Sequence, residues 1–599
     1  MQSSIDLIPT QETEASWKTA LDEHDDLKKF GANAIGLFAL ALRFDLEDIE
    51  GIGVSSIVDG SNDKKNDLIF IDEELGVAAI IQAYVSKSKK AIAPANKASD
   101  LNTAIAWLLT MQIETLPEGI RSHAKRIRDG IETGQINKIY VWYVHNCTES
   151  KNVFDELEAV KMTLSTAISH NHKNSTIKQF VSEIGNSTLT EWYNETQSPI
   201  AVNDEISFTC TSGFDIKNAN WSAFATAIAA EELYKAYKNH SVKLFSANIR
   251  DYLGARSTQS NINNGIRQTI TQTPENFWVF NNGLTALTHR FEYKKLENRI
   301  ILKGLAIVNG AQTTGAIGSM DTPPSENAFV PIRFVSVNNS DRELIRDIVR
   351  YNNSQNQVTA ADFRSTDAIQ KRLRQEVEKI KEAEYEGGRR GGFGSAIKRK
   401  PRLMPSFTVG QALAAFHGEP STAYNKKSDI WNNDALYAEF FNEKTTGPHL
   451  VFTFSLLKSI ENNKSQLIEK SKSGIELTNI EKQRLEFFRL PASIFVYINA
   501  ISSALETIIG RPIGDYFALS FGYQTTPKAA LKNWTPIITS TSPFTKLLSK
   551  SIAEGLSKTA IEEGIQNFTQ QVEVAAEGQT LAFSRFAKQI RNPANNKAI

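Results

Sequence analysis

Residues 67–84 read DLIFIDEELGVAAIIQAY, two apolar runs parted by Glu73, Glu74 and Leu75. Short β-branched runs flanking a polar turn predict a β-hairpin. With the turn midway between Glu74 and Leu75, cross-strand partners sum to a constant, so Asp67 falls opposite Gln82. Side chains alternate faces along a strand, which puts Tyr84 on the face of Gln82, two residues on. Working outward, the apolar positions from Ser16 to Leu46 recur at helical spacing around a break at Gly31, Trp17, Leu21, Leu27, Phe30, Ile35, Phe38 and Leu42 among them. The next segment, GVSSIV, carries a strand signal and leads through the polar loop GSNDKKND into the hairpin. On the other side residues 101–132 are helical in pattern, and INKIYVWYVHN (136–146) is dense enough in β-branched and aromatic residues for a buried strand. These elements predict a small α/β domain over residues 1–200.

Beyond it, SPIAVNDEISFTCTSGFD is strand and turn material at a domain boundary. WSAFATAIAAEELYKAYKNH has a helical pattern, whereas FWVFNNGLTAL, NRIILKGLAIV and FVPIRFVSV carry strand signals. A second α/β domain is expected over 201–404. From 405 to 599 helical periodicity dominates, as in VFTFSLLKSIENNKSQLIEK. The expected fold class is therefore mixed α/β and multidomain, with a mostly helical C-terminal region.

A chain of 599 residues exceeds what one core organises, and about two to four domains are expected. Apolar residues at 41% and charged residues at 22% are those of an ordinary globular protein. The 67 basic and 67 acidic residues cancel, so overall charge gives no argument for a polyanionic partner and only local clusters can. Cys147 and Cys210 are too few for a disulfide framework, which suits a reducing compartment. The opening MQSSIDLIPTQETEASWKTA lacks the basic and apolar regions of a signal peptide, and no apolar run approaches ~20 residues. The expected location is the cytoplasm, with no membrane partner.

A carboxylate at the start of one strand, facing a [D/E/Q]-x-K tripeptide on the next, resembles the PD-(D/E)XK nuclease pattern. That resemblance implies a restriction-endonuclease-like N-terminal domain in which Asp67 is the catalytic metal ligand, Gln82 the facing oxygen ligand and Mg2+ the cofactor. The lysine position of the tripeptide holds Tyr84, and a phenol with pKa about 10 supplies no positive charge beside a phosphate. Lys87 is the nearest replacement, with Lys89 and Lys90 behind it. A degenerate, nucleic-acid-gripping derivative and an exposed hairpin with a solvated KSKK run remain open beside active hydrolysis.

Two further stretches place glycine and amides where strands end. Asn281-Asn282-Gly283 follows an aromatic run expected to be a strand, and adjacent Asn and Gly form tight turns. In LAIVNGAQTTGAIGSM a strand meets Asn309, Gly310, Ala311, Gln312, Thr313 and Thr314 before small helical residues. A glycine there lets amides converge on an anion at the helix start, with Thr313 and Thr314 adding hydroxyl donors. No lysine follows in the Walker A position, and a plain capped helix explains the same letters.

The ordered blocks LFSANIRDYLG, ENFWVFNNGLTAL, AIVNGAQTTGAI and RYNNSQNQVTAADFRSTDAIQ resemble the signature blocks of the abortive infection phage resistance (AIPR) family, and VDGSNDKKNDLIFIDEELGVAAIIQAY is similar to its leading nuclease-like segment. The resemblance covers roughly residues 55 to 435 and implies an antiphage role with a phage component as trigger. The order strand, Gly-polar turn, helix, strand, helix and amide-rich turn is similar to ParB-like nucleotide-binding domains. By that likeness Asn309, Gly310, Gln312 and Thr313 would meet the phosphates of a nucleoside triphosphate, with Asn352, Asn353 and Gln355 opposite.

The segment GGRRGGFGSAIKRKPR joins Arg389, Arg390, Lys398, Arg399, Lys400 and Arg402 with no acidic residue. Glycines around guanidinium groups suit phosphate contacts, and Phe393 suits base stacking; a solvated loop is the alternative. Just before it, Ser365 is the expected cap of a helix through AIQKRLRQEVEKIKEAEYE. Arg250 and Arg256 flank the NIRDYLG block. The histidines lack zinc-ligand spacing. The expected function is action on nucleic acid in antiphage defence; a nucleotide-binding switch and a non-enzymatic sensor or assembly module, a homo-oligomer included, are the alternatives.

Overall fold

The computed structural model describes residues 16–44, 46, 48–58, 63–86, 92–171, 177–197, 200, 202–240, 244–245, 260–337, 342–353, 364, 367–387, 403–473, 475–578 and 580–591. Strands β1 (Leu68–Asp72) and β2 (Val77–Tyr84) form the hairpin, with Leu68 opposite Ile81 and Asp72 opposite Val77. Strands β3 (Lys138–His145) and β4 (Lys178–Ile184) follow in the order β1-β2-β3-β4, each parallel to its predecessor. Parallel neighbours need crossovers, supplied by helices Ala95–Leu109 and Glu118–Glu132 before β3 and Lys151–Asn171 before β4. Leu68, Phe70, Ile81, Trp142 and Val144 face the helix Ala34–Phe44. Ile69, Ile80, Ile139 and Val141 face the crossover helices. Covering on both faces explains why these strands read as continuous apolar runs.

GVSSIV is not a strand. Helix Ile49–Ser56 takes most of it, because the Asp48 carboxylate accepts the N–H of Gly51 at 3.0 Å and caps the helix; only Ile57 reaches the sheet, bridging Leu68.

The central sheet holds β5 (Val202–Thr209), β6 (Phe214–Lys217), β7 (Trp221–Ala229), β8 (Leu284–Thr288), β9 (Arg290–Lys294), β10 (Arg299–Asn309) and β11 (Phe329–Val337). Its order is β5-β10-β8-β11-β7-β6, with β9 beside β10. Only β8 and β11 pair in parallel among these. Two expectations are corrected. WSAFATAIA, expected to be helical, is β7: it pairs along all of β11, from Trp221 with Val337 to Ala229 with Phe329, and the helix starts only at Ala230. That ladder overrides the helix preference of its alanines. FWVF, expected to be a strand, is a helical turn, Phe277–Phe280, continuing the 3-10 turn that Pro274 opens.

From Leu373 to Ile590 one apolar cluster is built by helices, with Trp431, Trp534 and Tyr497 wholly buried. The helix Ala368–Glu378 belongs to it and is capped by Asp367, whose carboxylate accepts the N–H of Ile369 at 3.1 Å; Ser365 lies outside the described residues. This helical region seats on the N-terminal sheet. Lys427 Nζ meets Asp72 Oδ2 at 2.7 Å, Ser428 Oγ donates to Glu74 Oε2 at 2.7 Å, and Lys458 of helix Gly447–Lys472 meets Asp48 Oδ2 at 2.8 Å. Among the described residues no helix is long and apolar enough to cross a membrane.

Candidate functional site

At the carboxyl ends of β2, β3 and β4, beside the start of β1, one cross-strand row is polar. Gln82 on β2 is in register with Tyr143 on β3, and Tyr143 with Glu183 on β4. The hairpin carries the row on to Asp67, whose N–H donates to the Ile81 carbonyl at 3.3 Å and whose Oδ2 accepts the N–H of Ala83 at 2.7 Å. At a strand spacing of about 4.8 Å the row Asp67–Gln82–Tyr143–Glu183 is roughly 14 Å wide. Two residues on, Tyr84 is in register with His145, which alternation places on the same face. The carboxyl ends of parallel strands are where open α/β sheets receive ligands.

The row is braced from behind. Gln82 is 3% exposed and its Nε2 donates to Asp67 Oδ2 at 2.7 Å. The Tyr143 hydroxyl donates to the Pro94 carbonyl at 3.3 Å, and burial, then its neighbours Tyr84, Cys147, Glu183 and Asp67, push its pKa far above the ordinary value. His145 is wholly buried; its Nδ1 accepts the N–H of Cys147 at 3.3 Å, so its proton lies on Nε2, 3.0 Å from Glu183 Oε1. Ser150 N–H also donates to both Glu183 oxygens at 3.2 Å. Glu183 is thus held from two sides, while the half-buried Asp67 and Tyr84 form the accessible end.

Gln82 Oε1 is buried with no hydrogen-bond partner. An orphaned acceptor costs about 1–3 kcal/mol, and a hard cation beside Asp67 would satisfy it once the amide turned its oxygen outward. Asp67 and Gln82 therefore fit Mg2+ as a pair of oxygen ligands, the remainder coming from water and phosphate as is usual for that ion. Among the described residues no group of three His, Cys, Asp or Glu could form a fuller cage. Lys87, Lys89 and Lys90 lie outside the described residues.

The sequence pattern names Asp67, Gln82 and Tyr84; the strand order adds Tyr143, His145 and Glu183 to the same face. The signal available was alternation: Tyr143 and His145 interrupt an apolar strand at its end with period two.

The glycine turns of the central sheet also meet. Asn309 at the end of β10 is in register with Thr285 at the start of β8, so Asn281 to Gly283 and Asn309 to Gly310 lie side by side. Asn281 Nδ2 donates to Thr313 Oγ1 at 3.2 Å, and Asn309 Nδ2 to the Asn352 carbonyl at 2.9 Å. Gly310 has φ +92°, and a Cβ there would fall 1.9 Å from Leu284 Cδ2, so glycine is required. Thr314 is not the hydroxyl donor expected of it, since its Oγ1 is buried and donates to the Gly310 carbonyl at 3.0 Å. Gln312 is in the first turn of helix Ala311–Gly318 and Asn353 ends helix Arg342–Asn353. The residue the sequence reading missed is Arg333 of β11: its Nε donates to Thr285 Oγ1 at 2.8 Å and its Nη2 to Asn352 Oδ1 at 2.6 Å. Gln355, Arg250, Arg256 and the basic run Arg389, Arg390, Lys398, Arg399, Lys400 and Arg402 lie outside the described residues.

Residues 245–510 match the family model described as AIPR protein. No curated protein and no solved structure matches the chain. The glycine turns fall inside the matched stretch, and the N-terminal polar row falls outside it.

Proposed function

From the premise that the chain is an AIPR-family member through residues 245–510, we propose that it serves in abortive-infection defence against phage, and that it does so by acting on nucleic-acid phosphodiesters at the N-terminal strand ends. The observation that carries this reading is the row Asp67–Gln82–Tyr143–Glu183, polar side chains set in register across one end of the N-terminal sheet. Asp67 and Gln82 would hold Mg2+, which when bound supplies charge neutralisation at the phosphate and a more acidic water. The Ala83 N–H fixes the Asp67 carboxylate in place. Glu183, held by His145 and Ser150, closes the far end of the row. Tyr84 takes the place of the nuclease lysine and can donate a hydrogen bond to a phosphate oxygen but not a charge.

The test is incubation of labelled DNA and RNA with Mg2+ or Mn2+, comparing wild type with Asp67→Asn. Cleavage by the wild type and a loss of at least about a hundredfold in the variant are expected, the scale of one lost catalytic group. Equal rates, or no cleavage by the wild type, would remove the hydrolytic part. Tyr84→Lys should raise the rate.

A further inference from the structure

We infer that strand β6 is the contact through which two copies of this chain join, edge to edge and antiparallel, with Ile216 of each copy at the twofold axis. The inference rests on the central sheet alone and is independent of the N-terminal reading.

β6 ends the sheet: among the described residues it pairs with β7 alone, from Phe214 opposite Ala225 to Lys217 opposite Ser222. The phase of that ladder is fixed at both ends. The Trp221 carbonyl accepts the N–H of Asn218 at 2.8 Å, and the Ala227 carbonyl accepts the N–H of Thr211 at 3.0 Å. The odd-numbered residues of β7 therefore turn their backbone groups toward β6, and Phe214 and Ile216 answer them. Alternation leaves the N–H and C=O of Asp215 and Lys217 directed at the open side. Every residue from Thr211 to Asn220 is exposed, so no described element covers this edge.

An open edge is a template for another strand, and proteins guard such edges with charge. Asp215 and Lys217 are the charges here, but they do not repel a second copy, because they are opposite in sign and two residues apart. With the strands antiparallel about Ile216, Asp215 falls opposite the partner's Lys217, and Lys217 opposite the partner's Asp215. These are the residues whose backbone groups face outward, so each pair exchanges both its backbone hydrogen bonds as the charges meet. The neighbouring registers, centred on Asp215 or on Lys217, set like charges against each other. On the opposite face Ile216 meets its copy at the axis, and Phe214 lies diagonal to the partner's Ile216, within reach of an aromatic ring. In the single chain Ile216 is 52% and Phe214 63% exposed, because Ala223 and Ala225 opposite them on β7 offer little to pack on. A strand that matches its own reverse in both charge and side-chain size fits a second copy better than an unrelated peptide.

The experiment is sedimentation equilibrium of the full chain over a range of concentrations. The wild type should dimerise reversibly, and Asp215→Lys or Lys217→Asp should each weaken the dimer by about tenfold or more, since both ion pairs become repulsive. An equimolar mixture of these two variants restores opposite charges at both pairs and should dimerise as the wild type does, which a mere loss of folding could not produce. The side chains changed are 54% and 72% exposed, so the fold is kept. Oxidative crosslinking fixes the axis. The natural Cys147 and Cys210 are buried; Ile216→Cys brings two thiols to Cα atoms about 4.5 Å apart, within the span of a disulfide, whereas Phe214→Cys leaves them about 13 Å apart along the strands. Ile216→Cys should therefore form the linked dimer and Phe214→Cys should not. The inference is overturned if the wild type stays monomeric, if either charge variant dimerises as the wild type does, if the mixture associates no better than each variant alone, or if the two cysteine variants crosslink equally.

Discussion

A single missing side chain decides the geometry at Gly310. Alanine there must adopt φ +92° and place its Cβ 1.9 Å from Leu284 Cδ2, so strain and overpacking act together. Gly310→Ala should cost at least about 2 kcal/mol, read as a lower urea midpoint. Gly510 is a matched control: its φ is +68° but nothing lies within 4 Å of an added Cβ, so Gly510→Ala should cost about 1 kcal/mol. Equal costs at the two positions would show that the close approach to Leu284 is relieved cheaply. Some of this scale was legible in the sequence. Asp67 faces Gln82 because hairpin register is local and fixed by one turn. Glu183 and Tyr143 were not legible as partners of Gln82, because each arrives through a long helical crossover and no local pattern says which strand lies next to which. Arg333 looks like any exposed strand residue until parallel pairing sets it beside Thr285.

Among elements, the contact between helices Ile49–Ser56 and Gly447–Lys472 concentrates charge in a buried place. Lys458 Nζ lies 2.8 Å from both Asp48 Oδ2 and Glu461 Oε2. Burial, helped by the carboxylates of Asp48 and Glu50 and opposed by Lys458, pushes the Glu461 carboxyl up to about 7 from 4.5. The folded carboxyl thus keeps its proton where the unfolded one has lost it. Its contribution to stability is fully present below about 4.5 and is lost as pH rises through about 7. Glu461→Gln keeps the shape and cannot ionise, so its urea midpoint should gain on that of the wild type between pH 4.5 and 8; parallel profiles would contradict the shift. Elements themselves were legible where period and length agreed, as for β3 and the hairpin. They were not where tertiary pairing won: the alanine-rich β7 is a strand because β11 needs a neighbour, and Ile49–Ser56 is a helix because Asp48 caps it.

Across the whole molecule, the helical region from Leu373 to Ile590 grips the β1–β2 hairpin at the end opposite the polar row. Lys427 and Ser428 hold Asp72 and Glu74, while Arg126 pairs with Glu73 at 2.7 Å. Burial opposes the ionisation of Asp72, but the charge and hydrogen bond of Lys427 outweigh it and hold the carboxyl below its ordinary range. The hairpin that carries Asp67 and Gln82 is therefore anchored at its turn by the helical region, and this anchorage has no local signature, since the Lys427–Asp72 pair spans 355 residues. The claim on which the function rests is that nucleic acid lies across the strand ends, and photo-crosslinking tests it whether or not hydrolysis follows. Oligonucleotides carrying photoreactive pyrimidines, irradiated with the full chain and mapped by mass spectrometry, should attach to the segments carrying Asp67 and Tyr84, and Asp67→Arg should change the yield there. Crosslinks absent from both segments and confined to the helices of the C-terminal region would contradict it.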